Sequence, residues 1–160
     1  MAAAFRFVVY INVGWLAKWL RVMGYDTLFP KEAGDNQLIR IALRGGRILV
    51  TRDGGIASRR AVRLGQMQLV HILDHDLRGQ LRQLVRERRL SLNSGFSRCV
   101  RCNESLHPLP KVSVAARVPP YVLESQSTFM ECPRCLRLYW QGTHWANMMS
   151  ELHRVYQAVE

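Results

Sequence analysis

Short apolar runs alternate with longer stretches of helical spacing over the first ninety or so positions of the chain. Residues 5–11, FRFVVYI, are rich in β-branched and aromatic side chains and predict a buried strand. Over 13–23, VGWLAKWLRVM, the period changes to that of a helix. Trp15, Leu16, Trp19, Leu20 and Met23 share one face, with Lys18 and Arg21 on the other. Gly24 stands where a helix C-cap belongs. Tyr25 to Phe29 predicts a second strand, ended by Pro30. Asp35 precedes a helix over NQLIRIALRGG, with Leu38, Ile41 and Ala42 inward and Gly45 and Gly46 closing it. RILVT, 47–51, predicts a third strand. Asp53 opens the next helix, whose basic face holds Arg59, Arg60 and Arg63 and which Gly65 ends. MQLVHIL, 67–73, predicts a fourth strand, and Asp74 and Asp76 lead into a last helix, LRGQLRQLVRERR.

Alternation of strand and helix with short connections predicts an α/β fold, a parallel sheet flanked by helices on both faces. Near residue 91 the composition shifts, and SLNSGFS reads as a linker. This divides the chain into an α/β domain, 1–92, and a second unit, 93–160, that carries cysteine and proline. The second unit shows little helical periodicity until Trp145, where a short closing helix runs to Val159. There is no internal repeat and no low-complexity tract.

Charge changes the picture next. Among 160 residues, 23 Lys and Arg stand against 12 Asp and Glu, for a net charge of +11 and a pI near 10.4. Such an excess favours polyanions, nucleic acid first and an anionic membrane surface second. The alternative is a solvated basic surface that serves solubility only. No run approaches the ~18 apolar residues of a membrane span. Met1 to Val13 is interrupted by Arg6 and lacks a basic leader, so it reads as a strand rather than a signal. The expectation is a soluble, cytoplasmic protein without membrane contact.

In a reducing compartment four cysteines point to metal rather than disulfides. They fall as Cys99-Val-Arg-Cys102 and Cys132-Pro-Arg-Cys135. Two residues between cysteines let both sulfurs of a tight knuckle face one ion, and two knuckles close a tetrahedral site of four thiolates. No position is left for a reactive water, so the expected zinc is structural. With it bound, the net charge falls to about +9. A redox CxxC would need no second pair and would sit at a helix start. His107, His144 and His153 read as surface or packing histidines, and Tyr139, Trp140 and Trp145 as packing around the metal module, with base stacking the lesser alternative.

Acids are scarce, so those at strand ends stand out. In a parallel sheet ligands collect at the carboxyl ends of the strands. Asp53 follows the third strand there, Asp74 and Asp76 follow the fourth, and Asp35 begins a helix on the same side. Converging carboxylates would hold magnesium or manganese, acidify a bound water and direct it at a phosphodiester. Each of Asp35, Asp53 and Asp76 also fits a helix N-cap, where aspartate is favoured for capping alone.

NVGWLAKWLRVMGYDTLF, then RILVTRD, then both CxxC knuckles, then YWQGTHW stand in an order that resembles one family. It is the PIN-like ribonuclease domain named after the C-terminal region of the Mut-seven exonuclease proteins, in which a PIN-like α/β domain is joined to a zinc ribbon. The resemblance runs from about Phe7 to Trp145. It implies a metal-dependent ribonuclease site in which Asp35, Asp53 and Asp76 match the family acids, Asn12 matches the asparagine after the first strand, and Cys99, Cys102, Cys132 and Cys135 match the ribbon ligands. One departure matters. The family ends its first strand in a pattern like VD-x-N, whereas this chain reads Val9-Tyr10-Ile11-Asn12. A neutral phenol with a pKa near ~10 does not replace a carboxylate on magnesium. Three readings remain open: a PIN-like Mg- or Mn-dependent endoribonuclease altered by Tyr10, a catalytically impaired binder of RNA or ribonucleoprotein, and a structural zinc protein that engages another protein. Asp26, in the GYD element, is expected to be structural.

Overall fold

The computed structural model describes residues 4–92 and 96–159. Strands β1 (Arg6–Val9), β2 (Asp26–Leu28), β3 (Ile48–Thr51) and β4 (Leu69–His71) form one sheet in the order β2-β1-β3-β4, and every pair is parallel. Parallel pairing requires crossovers. These are made by helices α1 (Trp15–Val22), α2 (Asp35–Gly45), α3 (Gly54–Ala57) and α4 (Arg60–Arg63), and α5 (Leu77–Arg88) follows β4.

Strand alternation decides which helix packs where. Phe7, Val9, Ile48 and Val50 point to one face, where they meet Leu16 and Leu20 of α1 and Leu81 and Leu84 of α5. Val8 and Leu49 point to the other, where they meet Leu38 and Ala42 of α2 and Ile56 of α3. From β1 the chain moves outward to β2 through α1; from β2 it crosses back past β1 to β3 through α2. Crossovers keep one hand, so reversing direction moves the helix to the opposite face. The reversal makes the β1/β3 junction the switch point of the sheet.

Both edges of the sheet are sealed by side chains. On β2, the outward N–H of Thr27 donates to Asn103 Oδ1 at 2.8 Å, and its carbonyl accepts from Arg21 Nε at 3.0 Å. On β4, Gln83 accepts the Leu73 N–H at 2.9 Å and donates to the His71 carbonyl at 2.6 Å. Unpaired edge groups would otherwise invite other strands.

The second unit contains an antiparallel sheet of β5 (His107–Leu109), β6 (Phe129–Glu131) and β7 (Leu138–Tyr139). Helices α6 (Lys111–Val114) and α7 (Pro120–Ser125) cover it through Val114, Val122 and Phe129. The last helix, α8 (Thr143–Gln157), turns back to the first sheet. Met148, Leu152 and Val155 enter the core shared with α1 and α5, and Glu151 receives a two-pronged hydrogen bond from Arg78, 2.9 Å on each arm. No helix among the described residues is long and apolar enough to cross a membrane.

Several expectations are corrected in detail. The first strand ends at Val9, and Ile11–Val13 forms a 3₁₀ turn. The helix expected from Asp53 to Gly65 is two short helices, because Arg59 is extended and only Ile56 of the segment is fully buried. Trp15, expected inward, is 71% exposed on the first turn of α1. Arg21, expected on the solvent face, is half-buried against the second unit. α6 and α7 escape a periodicity reading because they are four and six residues long; each is preceded by proline, the helix-start signal. Of the expected linker, Asn93, Ser94 and Gly95 lie outside the described residues.

Asp26 joins the two units. Its Oδ1 accepts from Asn103 Nδ2 at 2.7 Å and from Arg47 at 2.9 Å, and its Oδ2 accepts from Arg47 at 3.2 Å. Burial works against its charge, but the hydrogen bonds from Arg47 and Asn103 outweigh it and hold the pKa below the ordinary carboxylate value. A depressed folded-state pKa contributes stability above the unfolded value of about 3.9 and loses it as pH falls through the folded one. Asp26→Ala is expected to cost about 1–3 kcal/mol at neutral pH, leaving Arg47 half-paired. The gap from the wild type should narrow below about pH 4 in denaturant unfolding; a gap that persists there would remove the charge from the explanation.

Candidate active site and metal centre

The carboxyl ends of β1 and β3 bring together Tyr10, Asn12 and Asp53, with Asp35 arriving from the start of α2. The Tyr10 N–H continues the ladder by donating to the Val50 carbonyl at 2.9 Å. Its ring leans on the α2 side of the sheet, with Val8 and Leu38. The Asp35 charge facing the hydroxyl, and the hydrogen bond between them, raise the Tyr10 pKa above its ordinary value; Asp53 adds to the effect. Tyr10 is therefore a neutral donor set between two carboxylates. Asp35 is the first residue of α2 and not its cap: Gly34 holds the cap position, without a side chain to fill it. That leaves the Asp35 carboxylate free to face Tyr10, with Arg59 4.0 Å away.

Asp53 is an N-cap. Its Oδ1 accepts the Gly55 N–H at 2.7 Å and the Ile56 N–H at 3.4 Å. Its own N–H donates to Thr51 Oγ1 at 3.0 Å, so the buried threonine of the TRD element sets the turn, a role the sequence reading did not assign. Asn12 accepts the Arg52 N–H at 3.3 Å and so ties the 3₁₀ turn after β1 to the loop after β3. Asp76 caps α5 through Gly79 at 2.7 Å. Asp74 lies against the same glycine, where a Cβ would come within 2.7 Å of its carboxyl carbon. Asp35 and Asp53 thus meet around Tyr10, while Asp76 is committed to the start of α5. Among the described residues, the four cysteines alone form a group of three or more metal-binding side chains close enough to share one ion.

Beside the acids lies a cleft of about 810 Å³, bounded by the 3₁₀ turn, α1, the loops after β2 and β3 and the first cysteine knuckle. Lys18, Arg21, Lys31, Arg52 and Arg101 line it, and no carboxylate does. Arg52 donates to His75 Nδ1 at 2.6 Å, which places the proton of the neutral ring on Nε2. Charge counting finds the excess of arginine; only the folded chain shows that the first knuckle supplies part of this wall.

The cysteine cluster is built from two copies of one local design. Cys102 N–H points to Cys99 Sγ at 3.3 Å and Cys135 N–H to Cys132 Sγ at 3.5 Å. Asn103 N–H returns to the Cys99 carbonyl and Leu136 N–H to the Cys132 carbonyl, both at 2.9 Å. Asn103 and Leu136 are left-handed, with φ of 69° and 62°. The four sulfurs lie within 4.8 Å of one another, and Cys99 and Cys135 are 3.8 Å apart. Tetrahedral thiolates about 2.3 Å from an ion have that edge, about 3.8 Å. Tyr139, half-buried, accepts the Val100 N–H at 3.2 Å and donates to Cys99 Sγ at 3.1 Å. Burial raises the Cys99 pKa, but bonds from Tyr139 and the Cys102 and Arg101 N–H groups outweigh it and bring the thiol to about 7. Burial and its sulfur neighbours push Cys102 up to about 12. Four thiols crowded this way resist ionising together, a conflict that a dication relieves.

A parallel α/β sheet with acids at its switch point, joined to a four-cysteine module, defines a PIN-like domain with a zinc-ribbon type of appendage. The family model of the Mut7-C RNAse domain matches residues 5–152, and the chain belongs to that family. No curated protein and no solved structure matches it.

The two left-handed knuckle residues separate strain from bonding. Leu136 is exposed, and a Cβ in that conformation costs ~1–2 kcal/mol. Leu136→Gly is expected to raise unfolding stability by up to about 1 kcal/mol. Asn103→Gly relieves the same strain but deletes the bonds to Thr27 and Asp26, and should lower stability. Chemical denaturation of the metal-loaded protein checks both; a loss in the Leu136 variant would contradict the strain assignment.

Proposed function

We propose that this chain is a metal-dependent endoribonuclease of the PIN-like type, acting on RNA phosphodiesters, with Tyr10 in place of the first acidic ligand. The observation that carries the reading is the meeting of Asp35 and Asp53 around Tyr10 at the switch point of the sheet, beside a cleft lined by cations and free of carboxylates. The donor set fits magnesium or manganese, which is commonly held by one or two carboxylates with water and substrate phosphate completing the shell. The bound ion would acidify the attacking water and stabilise charge on the phosphate.

The chain's own residues have distinct parts in this reading. Asp53 is oriented through Oδ1 by Gly55, which leaves Oδ2 to face the ion. Asp35 presents its carboxylate from the start of α2, and Asp76, with Oδ1 on Gly79, lends negative charge from the start of α5. Asn12 accepts from Arg52 through its oxygen, which leaves its amide NH₂ to donate to a substrate oxygen. Arg52 and its neighbours in the cleft hold the RNA phosphates. Cys99, Cys102, Cys132 and Cys135 hold a structural zinc that braces the ribbon; with all four positions filled by sulfur it takes no part in hydrolysis.

A second reading has its own observation. Tyr10 puts a neutral phenol, its pKa raised by the neighbouring Asp35 charge, beside the acids, and this favours a chain that binds RNA or ribonucleoprotein and cleaves it poorly or not at all. Incubation with single-stranded RNA and manganese distinguishes them. Under the first reading the native protein cleaves, Asp53→Asn loses about tenfold or more, and Tyr10→Asp cleaves faster at lower manganese. A native protein that is silent until Tyr10→Asp is introduced would select the second. Metal analysis of freshly purified, untreated protein should find about one equivalent of zinc; far less would sink the zinc assignment.

A further inference from the structure

We infer that the ribbon supplies a base-binding pocket, continuous with the acidic edge through the basic cleft, so that a single-stranded RNA is gripped on both units at once. The inference rests on the RNA reading above. A second cavity of about 560 Å³ lies between α1, the ribbon strands and the start of α8. Lys18, Val100 and Arg101 line both cavities, so the two share a wall. Its aromatic lining is Phe96, Tyr139, Trp140 and Trp145; its cations include Arg98 and Arg137; it too contains no carboxylate. Among the described residues, Lys18, Lys31, Arg52, Arg98, Arg101 and Arg137 take no part in a salt bridge, although six other arginines do.

Trp140 and Trp145 are half-buried, Trp145 meeting Phe96 edge-on at 5.1 Å and Trp140 tilting against Phe129 at 6.2 Å, so each packs on one side and lines the cavity on another. Cations and partly exposed aromatic rings in one cavity match the phosphates and bases of a single strand. An acidic peptide would satisfy the cations and leave the indoles without stacking partners. Duplex RNA would keep its bases stacked and out of reach. Both volumes fall in the ~300–1,000 Å³ range of ligand pockets. A base held on the ribbon would fix which phosphate, some nucleotides away, reaches Asp35 and Asp53.

The test uses zinc-loaded full-length protein, EDTA-free buffer without manganese, and oligouridylate carrying 4-thiouridine. Photocrosslinks are expected in the segments containing Phe96 or Trp140 to Trp145, as well as along the cleft. Trp140→Ala should weaken binding about tenfold while Trp140→Phe retains most of it, and Arg101→Ala should reduce the salt slope of binding by about one. Zinc content and melting temperature report whether each variant is folded; if Trp140→Ala is not, the crosslinks on native protein decide. Salt-dependent binding with crosslinks confined to the acidic edge, or unchanged affinity in a folded Trp140→Ala, would overturn the base pocket and leave RNA binding standing. Absence of any saturable RNA binding would overturn both.

Discussion

The amide of Thr27 needs an acceptor, and the side chain of Asn103 supplies it. β2 is a three-residue edge strand whose outward backbone groups have no strand to pair with. In an α/β domain these groups are half-buried, and a polar group left unpaired there costs about 1–3 kcal/mol. The chain meets the demand from 76 positions downstream, with the left-handed residue of the first cysteine knuckle. Arg21 covers the Thr27 carbonyl and reaches on to the carbonyl of Val100, binding the same knuckle to α1. Asp26 then holds Asn103 and Arg47 together. The second unit is therefore a structural completion of the first sheet, fixed to it by directional bonds that determine its angle as well as its attachment.

Much of this architecture was legible in the chain. Strand alternation in FVV and ILV gave the two buried faces, because parallel strands hide both sides and the residue period is two. The cysteine spacing was legible for a local reason: a knuckle is closed by backbone bonds within five residues, so its geometry travels with its sequence. Trp15 was misplaced because helical spacing cannot say whether anything covers a helix's first turn. The long-range bonds were not legible either. Nothing in the pattern around Asn103 announces Thr27, and nothing in the pattern around Tyr139 announces Cys99, since each pair is far apart in sequence and meets only in the folded chain.

The acidic edge shows how one residue type serves two ends. Asp53 and Asp76 fit N-caps in the sequence, and in the folded chain both do cap, each through a single oxygen. Capping and metal binding are not exclusive, since a carboxylate has a second oxygen and a fixed orientation lowers the entropy of using it. Asp35 differs. Gly34 takes its cap position, which frees the carboxylate, and Tyr10 then engages it. An aspartate at 10 would repel Asp35 and call for a cation between them. A neutral tyrosine at 10 would ease that repulsion without a cation.

That exchange makes the rest of the molecule more consequential for any encounter with RNA. Under the proposed reading fewer carboxylates would draw in a metal, and positioning would rest more on phosphate and base contacts along the wall that the first knuckle helps build. Val100 and Arg101 stand between Cys99 and Cys102, so the loop that presents them is anchored at both ends in the cysteine cluster. The next residue, Asn103, seals the β2 edge. One ion in the ribbon would thus fix three things through one tight turn: the fold of the second unit, the closure of the first sheet and the shape of the cationic cleft. The four cysteines sit far from the acids in sequence, yet the first knuckle they form shapes the cationic surface beside those acids.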